Sequence, residues 1–205
     1  MVNNLKMVLA CSMAVITAIT AQIKFNIAFI PYTMQNFGVM LSGLLLGPVY
    51  GFISQLIYIG MIGIGIPAAS GFSGGIAVLI GPTSGYIWAF PIAAFIAGLF
   101  RKAFWKEGKF KEKVVVWIGC CIAAIPIYLI GFAVFYYYAT MNANLIAWGT
   151  KASKLFGLNL NPFWSVFVAS VIIFIPQDFF VDHTIAISAY SYLAELLRQR
   201  GINLD

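Results

Sequence analysis

IAVLIGPTSGYIWAFPIAAFIAGLFRKAFWKEGKFKEKVVVWIGCCIAAIPIYLIGFAVFYYY, residues 76–138, decides the fold. Two apolar arms, 76–100 and 114–138, flank a basic turn, 101–113. Each arm supplies the roughly 20 apolar residues that a helix needs to cross a bilayer. The turn carries Arg101, Lys102, Lys106, Lys109, Lys111 and Lys113 against Glu107 and Glu112. It therefore reads as a charged loop between two membrane spans.

The rest of the chain repeats the pattern. Hydrophobic residues make up 62% of the 205 and charged residues only 9%, where a soluble chain averages about 25% charged. Too little polar surface remains to cover a water-soluble core of this length. One membrane domain, 1–205, is expected. Further spans are predicted at 5–23, 36–46 and 49–65, the last two separated by Gly47-Pro48. The run from Leu5 is read as a true first span, because no small-residue cleavage site and polar mature chain follow it. Pro162 and Pro176 bracket a stretch too short to cross, which predicts an interfacial or re-entrant helix before a last span over 177–197. The expected class is an all-α integral membrane protein of about six transmembrane helices.

The basic turn also orients it, since positive residues in short loops stay on the cytoplasmic side. With six spans, both termini fall on that side. Lys6, Arg198 and Arg200 join the turn there, and only Lys24, Lys151 and Lys154 lie outside. The net charge of +6 is thus an orientation signal and not a nucleic-acid footprint. The outer stretches are 24–35, 66–75 and 139–176. Irregular backbone at membrane depth is tolerated where it lines a cavity or is buried in protein, so a solute pocket is expected near the outer face.

Candidate ligand groups are few. Asp178 and Asp182 are the carboxylates within the apolar body, and intramembrane carboxylates are costly and usually functional. They share a helix face at i and i+4. His183, the single histidine, is adjacent but points elsewhere on a helix, so a structural imidazole is favoured over a metal ligand. The loop Ser70, Gly71, Phe72, Ser73, Gly74 and Gly75 reads either as backbone N–H donors to a ligand or as a turn. Thr33 and Gln35 offer a hydroxyl and an amide, to a ligand or as a helix cap. Ala10, Ala14 and Ala18 form a small-residue stripe that permits close helix contact, within the chain or with a partner. Cys11, Cys120 and Cys121 have no metal-site spacing and are read as core packing. No Walker, HExxH or GxSxG motif appears, so no enzyme and no intrinsic ATPase is expected.

The blocks IPYTMQNFGVMLSGLLLGPVYG, GIGIPAASGFSGGIAVLIGPTSGYIWAF and FIPQDFF resemble the BioY family, the biotin-specific substrate-capture (S) components of energy-coupling factor (ECF) transporters. The likeness runs from about 31 to 98 and returns at 174–180. It implies a six-helix membrane domain in the cell membrane that binds and takes up biotin, with no cofactor. The implied pocket lies under the outer loops, with contacts from the loop at Ser70 to Gly75 and from Asp178; Tyr86, in the second block, and Asp182 join the candidates. It further implies that the stripe on the first helix docks on a transmembrane coupling subunit, which carries two ATPase subunits. The family usually reads Pro-Gly-Asp-x-x-Lys where this chain has Pro176-Gln177-Asp178-Phe179-Phe180-Val181. Lys24, Lys151 or Lys154 then remain to meet a ligand carboxylate, or the solute is another small vitamin-like compound, taken up by an S-component or by a stand-alone transporter.

Overall fold

The computed structural model describes residues 2–200. Helix α1 (Val2–Gln22) leads into an antiparallel hairpin of β1 (Lys24–Ile27) and β2 (Ile30–Thr33), in which Lys24 faces Thr33. Ala28, at φ 55°, makes its turn. Helix α2 (Gln35–Gly63) is broken at Gly47, whose φ of 77° and ψ of −177° leave the helical region; Pro48 then restarts the helix. Glycine takes that conformation without the steric cost of a Cβ.

The break folds α2 back on itself. Gln55 Nε2 donates to Ser42 Oγ at 3.0 Å, thirteen residues away in sequence, and Gln35 Nε2 donates to the Tyr58 hydroxyl at 2.9 Å. On a straight helix such positions would stand about 20 Å apart or more. The arms, 35–46 and 48–63, are about 18 and 24 Å long at 1.5 Å per residue. Both fall short of the roughly 30 Å of bilayer hydrocarbon.

Helix α3 (Ile76–Leu79) is cut from α4 (Ser84–Phe104) by Gly81-Pro82, so α4 starts later than the apolar run suggested. The α2 hairpin lies on α4 at backbone contact. A Cβ on Gly43 would sit 2.1 Å from the Ala94 carbonyl oxygen, and one on Gly98 would sit 2.5 Å from the Gly47 carbonyl carbon. Small residues permit this approach where lipid supplies no hydrophobic drive between helices. Helix α5 (Phe110–Met141) packs on the other side of α4, and α6 (Ala143–Leu155) follows in the outer stretch, 139–176, where the sequence had suggested no helix before Pro162.

The final segment corrects the expected re-entrant helix. Helix α7 (Pro162–Phe167), a wide π turn (Val168–Ile172), α8 (Ile175–Gln177), a second π turn (Asp178–Asp182) and α9 (His183–Gln199) follow one helical path. Pro176 should clash with the carbonyl of residue 172. The wide turn ending there has already moved that carbonyl out of the α ladder, and Asp178 N resumes bonding to Phe174 O at 3.0 Å. The 38 residues from 162 to 199 would reach about 57 Å as a straight helix, which exceeds the hydrocarbon thickness. The α7 end packs against α6 and forms a cap with it.

Among the described residues, five helices are long and apolar enough to cross a membrane, α2 being one of them. Val15, Ile19, Ile92, Leu99, Ile118, Ile125 and Leu129 are exposed along α1, α4 and α5. Such faces suit lipid, as in a multi-pass membrane protein. Cys120 is buried, but Cys11 is exposed on α1, which corrects its reading as a core residue. At one end of the bundle the tip of α2 meets the basic turn: Arg101 Nε donates to Leu44 O at 2.9 Å, and Lys6 stands 5.9 Å from the Tyr50 ring. The β-hairpin, the 64–75 loop and the cap gather at the other end. Residues 1 and 201–205, on which the placement of the two termini rests, lie outside the described residues.

Candidate solute pocket

At that second end the helices part around a cavity of about 530 Å³, within the range of roughly 300–1,000 Å³ typical of small-ligand sites. Five parts of the chain build it. The hairpin and the start of α2 supply Lys24, Phe29, Thr33, Gln35 and Asn36. The loop after α2 supplies Ala69, Ser70 and Ser73. Tyr86, Ile87 and Phe90 come from α4, and Ile127 and Tyr128 from α5. The cap and the last segment add Trp148, Ser170, Phe174, Gln177 and Asp178.

The polar groups converge on Asp178. Its carboxylate accepts the Tyr128 hydroxyl at 2.5 Å and a side-chain bond from Asn36. The π turn aims Asp178 inward, away from lipid, where burial without these donors would be costly. Gln177 bridges the hairpin to the last segment, its Nε2 donating to Thr33 O at 3.0 Å and to Asp182 Oδ1 at 3.1 Å. Tyr86 donates to Ser170 O at 2.8 Å. Gln35 accepts from Thr33 Oγ1 and donates to Tyr58. Tyr32 Oη bonds Ile173 O at 3.2 Å, and its ring packs against Phe174. Burial, and then the charge of Asp178, push the Tyr32 phenol above its usual range, so it stays a neutral donor. Aromatic and aliphatic walls surround one anionic side chain, an arrangement that binds an apolar solute bearing N–H donors.

The structure sorts the expected residues. Asp178, Ser70, Ser73, Thr33, Gln35 and Tyr86 line the cavity together. Gly71, Phe72, Gly74 and Gly75 do not. The loop they belong to is clamped by Gln22, which donates to Ala69 O and accepts from Phe72 N, so the ring of Phe72 turns outward, 73% exposed. A Cβ at Gly74 would meet Ile66 O at 2.3 Å, which explains that glycine by packing alone. Asp182 is fully buried behind the pocket and accepts from Phe37 N at 3.2 Å and from Gln177. It positions the start of α2.

His183 is also fully buried, stacked on Phe179, with Nδ1 3.9 Å from Cys121 Sγ. Its Nε2 has no partner among the described residues, so it is only half satisfied. Among the described residues no group of three or more metal-ligating side chains is found. Ala10 and Ala14 are buried in the core against α2, so their stripe serves an internal contact; Ala18 is half-buried beside them.

Sequence reasoning missed Asn36, Tyr128, Trp148 and Phe174. Tyr128 lies in a long apolar helix whose hydrophobicity has almost no facial bias, so no pattern singles it out. Trp148 sits in the outer stretch, 139–176, before Pro162, where no helix was expected. Asn36 follows directly on Gln35, and its polarity at the start of a span was the available signal.

Comparison with known proteins follows the same lines. The BioY family model matches residues 2–199. A probable biotin transporter BioY of Lysinibacillus sphaericus is 34% identical over 178 residues, covering 86% of this chain and 81% of that protein. A probable biotin transporter BioY of Pyrococcus horikoshii is 49% identical over 116 residues, covering 57% of this chain and 65% of that protein. The crystal structure of the S-component for biotin from an ECF-type ABC transporter has the same fold. It gives a TM-score of 0.71 at 23% identity, over 94% of this chain and 92% of the other.

Proposed function

This chain belongs to the BioY family, and on that premise we propose that it captures biotin in the cavity beside Asp178, for uptake across the cell membrane. The observation that carries the reading is the single carboxylate, held by Tyr128 and Asn36, in a pocket whose walls are mainly apolar and aromatic. Biotin offers a ureido group with two N–H donors on a compact bicycle and an apolar chain ending in a carboxylate. An ionised carboxylate in a dry site is a strong acceptor for those N–H groups. Phe90, Trp148 and Phe174 supply the walls for the ring and chain.

The work is binding, not chemistry. The family's members are transporter components, and this chain carries no nucleotide-binding motif. Translocation then needs energy from a partner, and the S-component fold suits docking on a transmembrane coupling subunit with two ATPases. The basic turn, placed in the cytoplasm by the positive-inside rule, sits at the end of the bundle away from the cavity. Capture from the outer side follows.

Equilibrium binding of radiolabelled biotin to the purified protein tests this. The unaltered chain binds, and Asp178→Ala weakens binding by about 100-fold, as expected for losing hydrogen bonds to a buried charge. Absence of binding by the unaltered chain up to about 100 μM, a concentration that would detect even weak affinity, would turn the reading toward another vitamin-like solute.

A further inference from the structure

We propose that Lys24 holds the carboxylate end of the ligand, so that the β-hairpin takes the role that a cation on the last helix would otherwise have. The inference rests on the biotin reading above. Three lysines were open to this role from the outer stretches, and the structure separates them. Lys24 lines the cavity. Lys151 stands outside it, its Nζ 4.6 Å from the ring of Phe29, and Lys154 is no part of the lining. Among the described residues that line the cavity, Lys24 is the one cation and Asp178 the one anion.

Lys24 is also uncommitted. Glu107 pairs with Lys109 and Glu195 with Arg198. Glu112 caps the backbone N–H groups of Lys106, Glu107 and Gly108. Asp178 and Asp182 are held by the groups named above. No described acid is left to neutralise Lys24, whose long flexible stem lets its ammonium reach a charge at the cavity mouth. Its place is nonetheless fixed, because Lys24 faces Thr33 in register and Met34 N bonds to Ile23 O at 3.2 Å.

Position 181 points the other way. Val181 is 43% exposed and absent from the cavity wall. A lysine there would extend outward from the second π turn and not into the pocket. The charge has therefore moved from helix to hairpin, and the ligand's acid end lies under β1 and β2. Because Lys24 is solvent-exposed, its contribution is modest and screened by salt.

The test compares biotin with its neutral primary amide, by equilibrium binding at low and high ionic strength. The unaltered chain prefers biotin by about two- to fivefold at low salt, and the preference shrinks as salt is added. In Lys24→Gln the preference disappears, while Lys24→Arg and Lys151→Gln keep it. Adding Val181→Lys to Lys24→Gln does not restore it. A preference that survives Lys24→Gln, that is absent from the unaltered chain, or that Val181→Lys restores, would overturn the role of Lys24 alone. Failure of the unaltered chain to bind either compound would overturn the biotin reading beneath it.

Discussion

Asp178 shows how one residue can be legible in the sequence while its partners are not. A carboxylate in an apolar run stands out because lipid makes it costly. Tyr128, which donates to it at 2.5 Å, is one of many aromatic residues in spans and carries no mark of its own. The pairing exists only because α5 and the π turn at Asp178–Asp182 meet in space. Tyr128→Phe removes the donor and keeps the ring. Biotin affinity is expected to fall by about tenfold, the size of one lost hydrogen bond to a charged group. Isothermal titration of the purified variant checks this, and an unchanged affinity would remove Tyr128 from the site. Asp182 teaches the converse. Its cost in lipid was equally visible, yet its bonds go to Phe37 N and Gln177, so it organises backbone around the pocket.

Among the elements, α2 does most to shape the pocket. Gly47-Pro48 announced a break, and the runs on either side, 36–46 and 49–65, were readable as separate spans. The fold-back itself depended on Gly43, Gly51 and Gly98, whose lack of side chains lets backbones touch. Gly43→Ala places a methyl 2.1 Å from the Ala94 carbonyl oxygen and forces α2 off α4. Overpacking of this kind costs about 1–3 kcal/mol or more, so the thermal midpoint in detergent should drop by several degrees. Gly60→Ala, whose added methyl meets nothing within 4 Å, should leave it in place. Equal midpoints for the two would mean that this packing does not hold the hairpin. The final segment was misread for a related reason: Pro176 signals a helix end, and only the wide turn before it, invisible to periodicity, lets the helix continue.

For the whole molecule, composition and the basic turn were enough to place the chain in a membrane and to assign it two unlike ends. Hydropathy could not reveal α6 in the cap, because an amphipathic stretch packed on protein reads as merely polar. The central claim joins the two ends: the cavity opens on the face opposite 101–113, and biotin occupies it. Ser73 is exposed at the cavity's rim, so Ser73→Cys provides a probe, compared with the parent chain carrying only Cys11, Cys120 and Cys121. The most direct measurement is the rate at which this cysteine reacts with a membrane-impermeant maleimide on intact cells, with and without biotin. The account predicts labelling from outside that saturating biotin slows by about tenfold or more, as expected for a site that encloses most of its ligand. Labelling only after the cells are opened, or labelling at the same rate with biotin present, would contradict it.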